Sequence, residues 1–499
     1  MTPVATAPHT FTWRWLPAVT LGALVLRLWW AHHTLNIYHP DEVFQYLEQA
    51  HRWVFGYGFI PWEFRFGTRS WLLPLLLSAP LAALKGFGWD TPAIYVPVVQ
   101  SLLAVCATSV VPMGYYLTRR RASEDAARMA AVLLASWYEL LHFSVRPLPD
   151  SMAVIIVTAM FVAAFSRRST AATAGGICAA LLLVLRVHLL PLTAIAAFVA
   201  TRRWSRRQGV IGACAWTFTV LLLGALDAWM WGDWFASVYN NVHMNFVLGV
   251  SALFGVEHPL FLVGALGATS AGLWWLVPLA STRELHLTAL PLLIVTVIVA
   301  SLSLVGHKEY RFILPAVPVL LILLATCATA ATAGWNGRRR AVARGTVLAA
   351  MATLSWAGAT ARLPYEWRVY EAPLASDDVL RAVRVLREDP GLVALYVPDP
   401  EWALTGGYYH LHRDVPVYFG DEAAPWPTAG VPQEYASHVL DWTHTDTPGF
   451  ETIARFGDVE IRRNVTGIPL REVTGFSRHL PQPGIDGVFV PTVRPRFPD

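Results

Sequence analysis

The sequence predicts an α-helical polytopic membrane protein with a C-terminal extracytoplasmic α/β domain. Three observations lead there. Of 499 residues, 55% are hydrophobic and only 14% charged, where soluble domains carry about 25% charged residues. Apolar stretches long enough to cross a bilayer, about 20 residues, recur from Leu16 to Ala361, and mean hydropathy is +0.44. From Leu363 onward the pattern gives way to short β-like runs such as "LVALYV" (392–397) and "GVFV" (487–490), parted by Pro and Gly. The boundary therefore falls between a membrane domain, 1–362, and a soluble domain, 363–499.

Spans are read near 14–34, 93–117, 125–145, 151–166, 171–187, 188–201, 209–231, 259–280, 286–305, 311–333 and 341–361. The first run, Trp15 to His33, lacks a small-residue cleavage site and reads as a retained span. Arginine-rich loops at 118–125, 166–169, 201–208 and 336–344 belong in the cytoplasm by the positive-inside rule. The loops at 146–150, 186–188, 232–258 and 306–311, and the C-terminal domain, then lie outside. One apolar segment, "SWLLPLLLSAPLAAL" (70–84), resists: as a full span it would invert every arginine loop after it. Short and carrying Pro74 and Pro80, it is expected as a re-entrant or half-embedded hairpin. The total is eleven or twelve membrane helices.

The net charge of +4 points to no nucleic-acid partner, because the basic residues sit in short inter-span loops. Cys106, Cys178, Cys214 and Cys327 lie within apolar runs without metal-ligand spacing, so neither disulfide nor metal site is expected. Lys85 and Lys308 are the only lysines among 38 basic residues. This bias fits a bacterial source and singles out Lys308.

The chemistry begins in the first outer loop, 35–70, with "HPDEVFQYLEQAH" (39–51). Pro40 suits a first helical position. At 100° per residue Asp41, Gln45, Glu48 and Arg52 share one sector, opposite Val43, Leu47, Ala50 and Val54. The expectation is an amphipathic helix lying on the membrane. Asp41 and Glu42 sit in its first turn, where the helix dipole favours ionised carboxylates. An ionised carboxylate serves as general base or metal ligand; capping of the helix is the alternative. Asp41, aligned with the polar stripe, is the candidate base.

Other outer segments add polar residues at span ends. The first loop contributes His39, Glu63 and Arg69. "RPLPD" contributes Arg146 and Asp150, "LRVHL" Arg186 and His188, and "LDAWMWGDW" Asp227. Asn245 and His258 lie in 240–259, and "HKEYRF" holds His307, Lys308, Glu309 and Arg311. Each alone could be a solvated or snorkelling group. Together, on one side of the membrane, they are expected to line one polar cavity. Arg146, Arg186 and Arg69 could bind phosphate or pair with Asp150, Asp227 and Glu63. Trp229, Trp231 and Trp234 could form an interfacial belt or stack on sugars.

These motifs in this order resemble a family. "HPDEVFQYLEQAH…VFGYGFIPWEFRFGTRSWLLP", "RPLPDS", the Trp-rich stretch ending in His-Pro, and "HKEYRFILPAVP" are similar to landmarks of glycosyltransferase family 22. That family comprises Alg9-like and GPI mannosyltransferases with the GT-C membrane fold. "VALYVPDPEWALTGGYYHLHRDVPVYF" (393–419) resembles a GPI-mannosyltransferase segment, with "PDPEW" where the family has a Cys-His pair. The resemblance implies inverting transfer of mannose, or a related sugar, from a polyprenyl phosphate to a hydroxyl of a lipid-linked glycan acceptor. It implies Asp41 as the catalytic acidic residue, acting as base, with Glu42 beside it, and His307, Lys308 and Arg311 near the donor phosphate. No cofactor and no divalent metal are expected. The readings left open are a transporter or flippase of lipid-linked sugars, a GT-C enzyme using another polyprenyl-phosphate sugar, and a membrane scaffold.

Overall fold

The computed structural model describes residues 12–34, 36–269, 285–360, 377–399, 402–420, 432–471 and 476–480. The domain boundary at 362/363, the run 487–490 and the second half of the 259–280 span lie outside these. Contacts divide the chain into two units: 1–31, 100–220 and 255–370 in the first, and 32–99, 221–254 and 371–499 in the second.

Each apolar run begins or continues as helix where the sequence placed a span. Pro92–Arg121, Arg206–Trp231, His286–Ser303 and Tyr310–Ala331 are long and apolar enough to cross a bilayer. Tyr138–Val145 and Pro149–Phe165 pass together but are bent by 116°. Ser169–Leu185 and Val187–Thr201 are shorter apolar helices. The protein is multi-pass. The 70–84 segment differs from the expected hairpin: Leu72–Gly86 is one uninterrupted helix, with Pro80 inside it and Leu73, Leu77 and Leu81 buried along one face. Its 15 residues reach about 22 Å at 1.5 Å per residue, too short to cross upright.

Within the first unit, small residues let helices approach. A Cβ at Gly176 would collide with the Gly212 carbonyl of Arg206–Trp231, the close packing that glycine permits between membrane helices. The helix Glu124–Ser136 ends at extended Trp137 and leaves carbonyls that lipid cannot satisfy. Arg27, 1% exposed, donates to Leu134 O at 3.0 Å and Ala135 O at 3.2 Å, and Trp356 Nε1 donates to Ser136 O at 3.0 Å. A cation at a helix C-terminus also suits the dipole.

Within the second unit the C-terminal segment forms a five-stranded sheet: β1 (Leu395–Val397), β2 (Val417–Phe419), β3 (His438–Asp441), β4 (Phe450–Phe456) and β5 (Val459–Asn464). The order is β2-β1-β3-β5-β4, parallel through β2-β1-β3 and antiparallel from β3 to β4. The parallel strands β1, β2 and β3, with β2 at the sheet edge, are buried except for the partly exposed Tyr396 of β1.

The first loop departs from the expected surface helix. Residues 42–47 wind as π-helix, Glu48–Phe55 continue as α-helix, and everything from Glu42 to Arg52 is buried. The wider turn shifts the phase of the stripe, and protein covers both faces. Glu48, fully buried, accepts Phe59 N–H at 2.8 Å, Tyr408 N–H at 3.0 Å and Tyr409 N–H at 2.8 Å. The last two open the short helix Gly407–Leu411. Gly406 and Gly407 both have positive φ, and a Cβ on Gly407 would come within 2.7 Å of Glu48 Oε2, so the "GG" pair is what admits this carboxylate. Nearby, His51 Nε2 lies 2.9 Å from His412 Nδ1, and the backbone of Ile60 pairs with 478–480.

Candidate functional site

Most of the polar residues singled out in the sequence gather into two clusters, one in each unit.

In the second unit Pro40 and the first helical turn set His39, Asp41 and Glu42. The adjacent acids are treated differently. Glu42 is 3% exposed, and its Oε1 accepts the Tyr38 N–H at 2.6 Å, a bond that ties the loop to its own helix. The Asp41 side chain keeps 19% exposure. Its N–H donates to His39 Nδ1 at 3.2 Å, which fixes that imidazole as the neutral Nε2–H tautomer and makes the 3.6 Å contact with Asp41 Oδ1 no ion pair. One turn on, Gln45 bridges two groups: its Nε2 donates to Glu63 Oε1 at 2.6 Å, and its Oε1 accepts Arg69 Nε at 3.1 Å. Arg69 is pinned by its own carbonyl, which accepts the indole N–H of buried Trp231 at 3.1 Å. Burial, and then the negative charge of Asp41, hold the Glu63 carboxyl above its ordinary range against the pull of Arg69. Two carboxyls set in such unlike surroundings are suited to different protonation states.

In the first unit, Pro149 opens a helix that carries Asp150 in its first turn. Asp150 is fully buried and pairs with Arg186, which follows the helix Ser169–Leu185, and with Arg311 Nη1 at 3.8 Å. "HKEYRF" enters extended and then forms a 3-10 turn, Tyr310–Ala316. Glu309 thereby meets His307 Nε2 at 2.8 Å and also pairs with Arg311. His307 Nδ1 lies 3.2 Å from Gly255 O, so both ring nitrogens face oxygen acceptors, the geometry of an imidazolium. Burial opposes that charge, but the hydrogen bond and charge of Glu309 outweigh it and raise the His307 pKa. Phe312 lies beneath the cations, 4.9 Å from the Arg186 guanidinium and 5.3 Å from that of Arg311, with His188 and His307 beside its ring.

Lys308 is 5% exposed. Its ammonium donates to Glu257 O at 2.9 Å and Gly306 O at 3.3 Å. Among the described residues no carboxylate pairs with it. Asp150 and Glu309 thus face Arg186, Arg311 and a histidine of raised pKa, and Lys308 adds a cation that no described carboxylate pairs with, leaving surplus positive charge suited to an anion.

Other predicted residues stand apart. Glu48 is the tie to Tyr408 and Tyr409 described above, and not part of the acidic cluster. Asp227 accepts Ser237 N–H at 3.0 Å and Oγ–H at 2.6 Å, closing the turn after Trp231. Arg186 therefore pairs with Asp150 rather than Asp227. Asn245 donates to Asn241 O of its own helix at 3.1 Å. His258 is exposed and accepts the Leu260 N–H at 3.2 Å in a turn. Arg146 is 2% exposed beside the bend at 146–148. Of the three tryptophans, Trp229 and Trp234 are about half exposed. Among the described residues no three His, Cys, Asp or Glu side chains form a metal-holding group. The sequence reading missed Phe312, although it lies inside the quoted "HKEYRF", and the indole support of Arg69.

The chain is similar to known membrane glycosyltransferases. The sequence pattern of the Alg9-like mannosyltransferase family matches residues 19–386. GPI mannosyltransferase 3 of Yarrowia lipolytica is 28% identical over 316 residues, 58% of this chain and 57% of that protein. Mannosyltransferase APTG1 of Arabidopsis thaliana is 26% identical over 305 residues, 57% of this chain and 53% of that protein. The matches thus span little more than half the length of these relatives. Among solved structures, ArnT from Cupriavidus metallidurans bound to undecaprenyl phosphate superposes with TM-score 0.61 at 12% identity, over 92% of this chain and 99% of that one. The shared architecture is the GT-C membrane fold.

Proposed function

Because the chain belongs to the Alg9-like mannosyltransferase family, we propose that it transfers a mannosyl residue from a polyprenyl-phosphate donor to a hydroxyl of a lipid-linked glycan acceptor, on the extracytoplasmic side of a bacterial cell membrane. The GPI mannosyltransferase relatives support the sugar, and the lipid phosphate bound to ArnT supports the donor class.

The observation that carries the assignment of roles is the unequal treatment of Asp41 and Glu42. Of two neighbouring acids, only Asp41 keeps a partly exposed carboxylate, while Glu42 is spent on Tyr38. Asp41 is the base that takes the acceptor hydroxyl proton as that oxygen attacks the anomeric carbon. His39 accepts its backbone N–H, and its charge acts on Glu63 in the Gln45–Glu63–Arg69 chain. The bond from the anomeric carbon to the phosphate oxygen breaks as the new one forms, so the configuration inverts. A polyprenyl phosphate leaves as a dianion and needs no general acid if fixed cations receive it. Lys308, Arg311, Arg186 and imidazolium His307 have the charge for that task.

Purified protein incubated with polyprenyl-phosphate mannose and lipid-linked glycan acceptors tests this reading: a new glycosidic bond is expected. Movement of the lipid across vesicles without bond formation would turn the assignment to a flippase. Lys308→Met should raise the donor KM by about 10- to 100-fold, the loss of one charge-assisted hydrogen bond of roughly 1.5–3 kcal/mol. Because the His307 pKa is raised, donor kcat/KM should fall as pH climbs through it, and His307→Asn should flatten that limb. A pH profile unchanged in His307→Asn would remove the imidazolium from the phosphate site.

A further inference from the structure

The C-terminal segment contains a cavity of about 800 Å³, lined by none of the residues assigned roles above. Val385, Pro390 and Ile468 give it apolar surface; Asp389, His438 and Arg463 give it a polar cluster. Its volume falls in the range of small-molecule sites, roughly 300–1,000 Å³.

The chemistry of the cluster narrows the ligand. Ser437 Oγ, beside His438 Nδ1 at 3.1 Å, resembles a nucleophile next to a base. However, it accepts the Val393 and Ala394 N–H groups at 2.9 and 3.1 Å and donates to Ala394 O at 2.9 Å, so its proton is committed to the sheet. His438, 1% exposed, has its Nε2 3.4 Å from both Arg463 Nε and Asp389 Oδ2, and burial lowers its pKa. Arg463 pairs with Asp389, and Glu388 adds a second carboxylate to the wall. The lining therefore has no surplus positive charge for a phosphate, and too few ligands for a metal ion. What it offers is the Asp389 carboxylate, which keeps lone pairs beyond those that accept the Gly391 N–H at 2.7 Å and pair with Arg463, guanidinium donors on Arg463 (its Nη1 has no partner among the described residues and the side chain is 49% exposed), and apolar carbon beside them. A pyranose ring matches that combination: vicinal hydroxyls that both donate and accept, and a C–H face that packs on aliphatic side chains.

We propose that this cavity is a second saccharide site, holding neutral hexose units of the acceptor or product glycan away from the transferring groups. The choice of mannose as probe rests on the mannosyl-transfer reading; the site itself does not. Full-length protein in phospholipid nanodiscs, free of glycoside detergent, should bind methyl α-D-mannopyranoside and an α-linked mannobiose saturably, measured by saturation-transfer NMR. Asp41→Asn should leave that binding unchanged. Ile468→Asp and Arg463→Gln should weaken it at least tenfold. Ile468 is 48% exposed, so its variant should keep the wild-type thermal midpoint and decide the matter even if Arg463→Gln loosens the sheet. No saturable binding at millimolar saccharide, or binding that Ile468→Asp leaves intact, would overturn the proposal. Saccharide binding without sugar transfer would sink the transfer reading and leave the cavity standing; transfer without cavity binding would do the reverse.

Discussion

Asp41→Asn protein, folded and inserted in membranes, should transfer sugar about 10²- to 10⁴-fold more slowly than wild type, the usual contribution of a positioned general base. The substitution changes little else: the side chain keeps its shape, 19% exposure and place beside His39. The loss should fall on kcat, with donor KM nearly unchanged, because the proton moves only as the acceptor attacks. Glu42→Gln makes the contrast. Gln can still accept the Tyr38 N–H, so this neighbour should retain transfer within about tenfold of wild type. Comparable loss in both variants would assign the base to the pair, and full activity in Asp41→Asn would move it elsewhere.

The second large effect concerns stability. Glu48→Ala strands three buried N–H groups, of Phe59, Tyr408 and Tyr409, each costing roughly 1–3 kcal/mol when unsatisfied. A loss of at least about 3 kcal/mol and a thermal midpoint several degrees lower are expected. Glu48→Gln should cost less, because its oxygen still serves Phe59 and Tyr408 while its NH₂ opposes the Tyr409 N–H. Glu48 also links stability to pH. Burial raises its pKa from 4.5 to about 7 despite the three N–H bonds. A group whose pKa rises on folding stabilises fully below its unfolded value and loses that contribution as pH passes its folded value. Wild type should therefore lose on the order of 3 kcal/mol between pH 4.5 and 7 from this group, and Glu48→Gln should lack that slope. An identical pH dependence in both proteins would show that Glu48 does not titrate there.

Much of this architecture was legible because membrane spans are written in composition. The run at 311–333 and the bend at "RPLPD" follow from apolar length and from Pro147 and Pro149. The clustered charge of "HKEYRF" was equally visible, since it needs no partner to be recognised. What stayed hidden was tertiary. Periodicity at 100° placed Glu48 on the same stripe as Asp41, yet the π-turn over Glu42–Leu47 changes the phase, and the Tyr408–Tyr409 backbone takes the carboxylate from 360 residues away. Nothing local distinguishes such a carboxylate from one that meets substrate. Asp227 is the same case: its partner Ser237 lies ten residues on, in a turn that only the fold closes.

The Glu48 contact also sets an order of events at the ribosome. Two of its three donors, Tyr408 and Tyr409, are translated 360 and 361 residues after it, about 20–70 s later at roughly 5–20 residues per second. Throughout that interval the nascent first loop must keep a carboxylate wet that the finished protein encloses. A chain stopped before Tyr408 would hold the loop open indefinitely, so quality-control proteases should find residues 42–59 cleavable in nascent chains and resistant in completed ones.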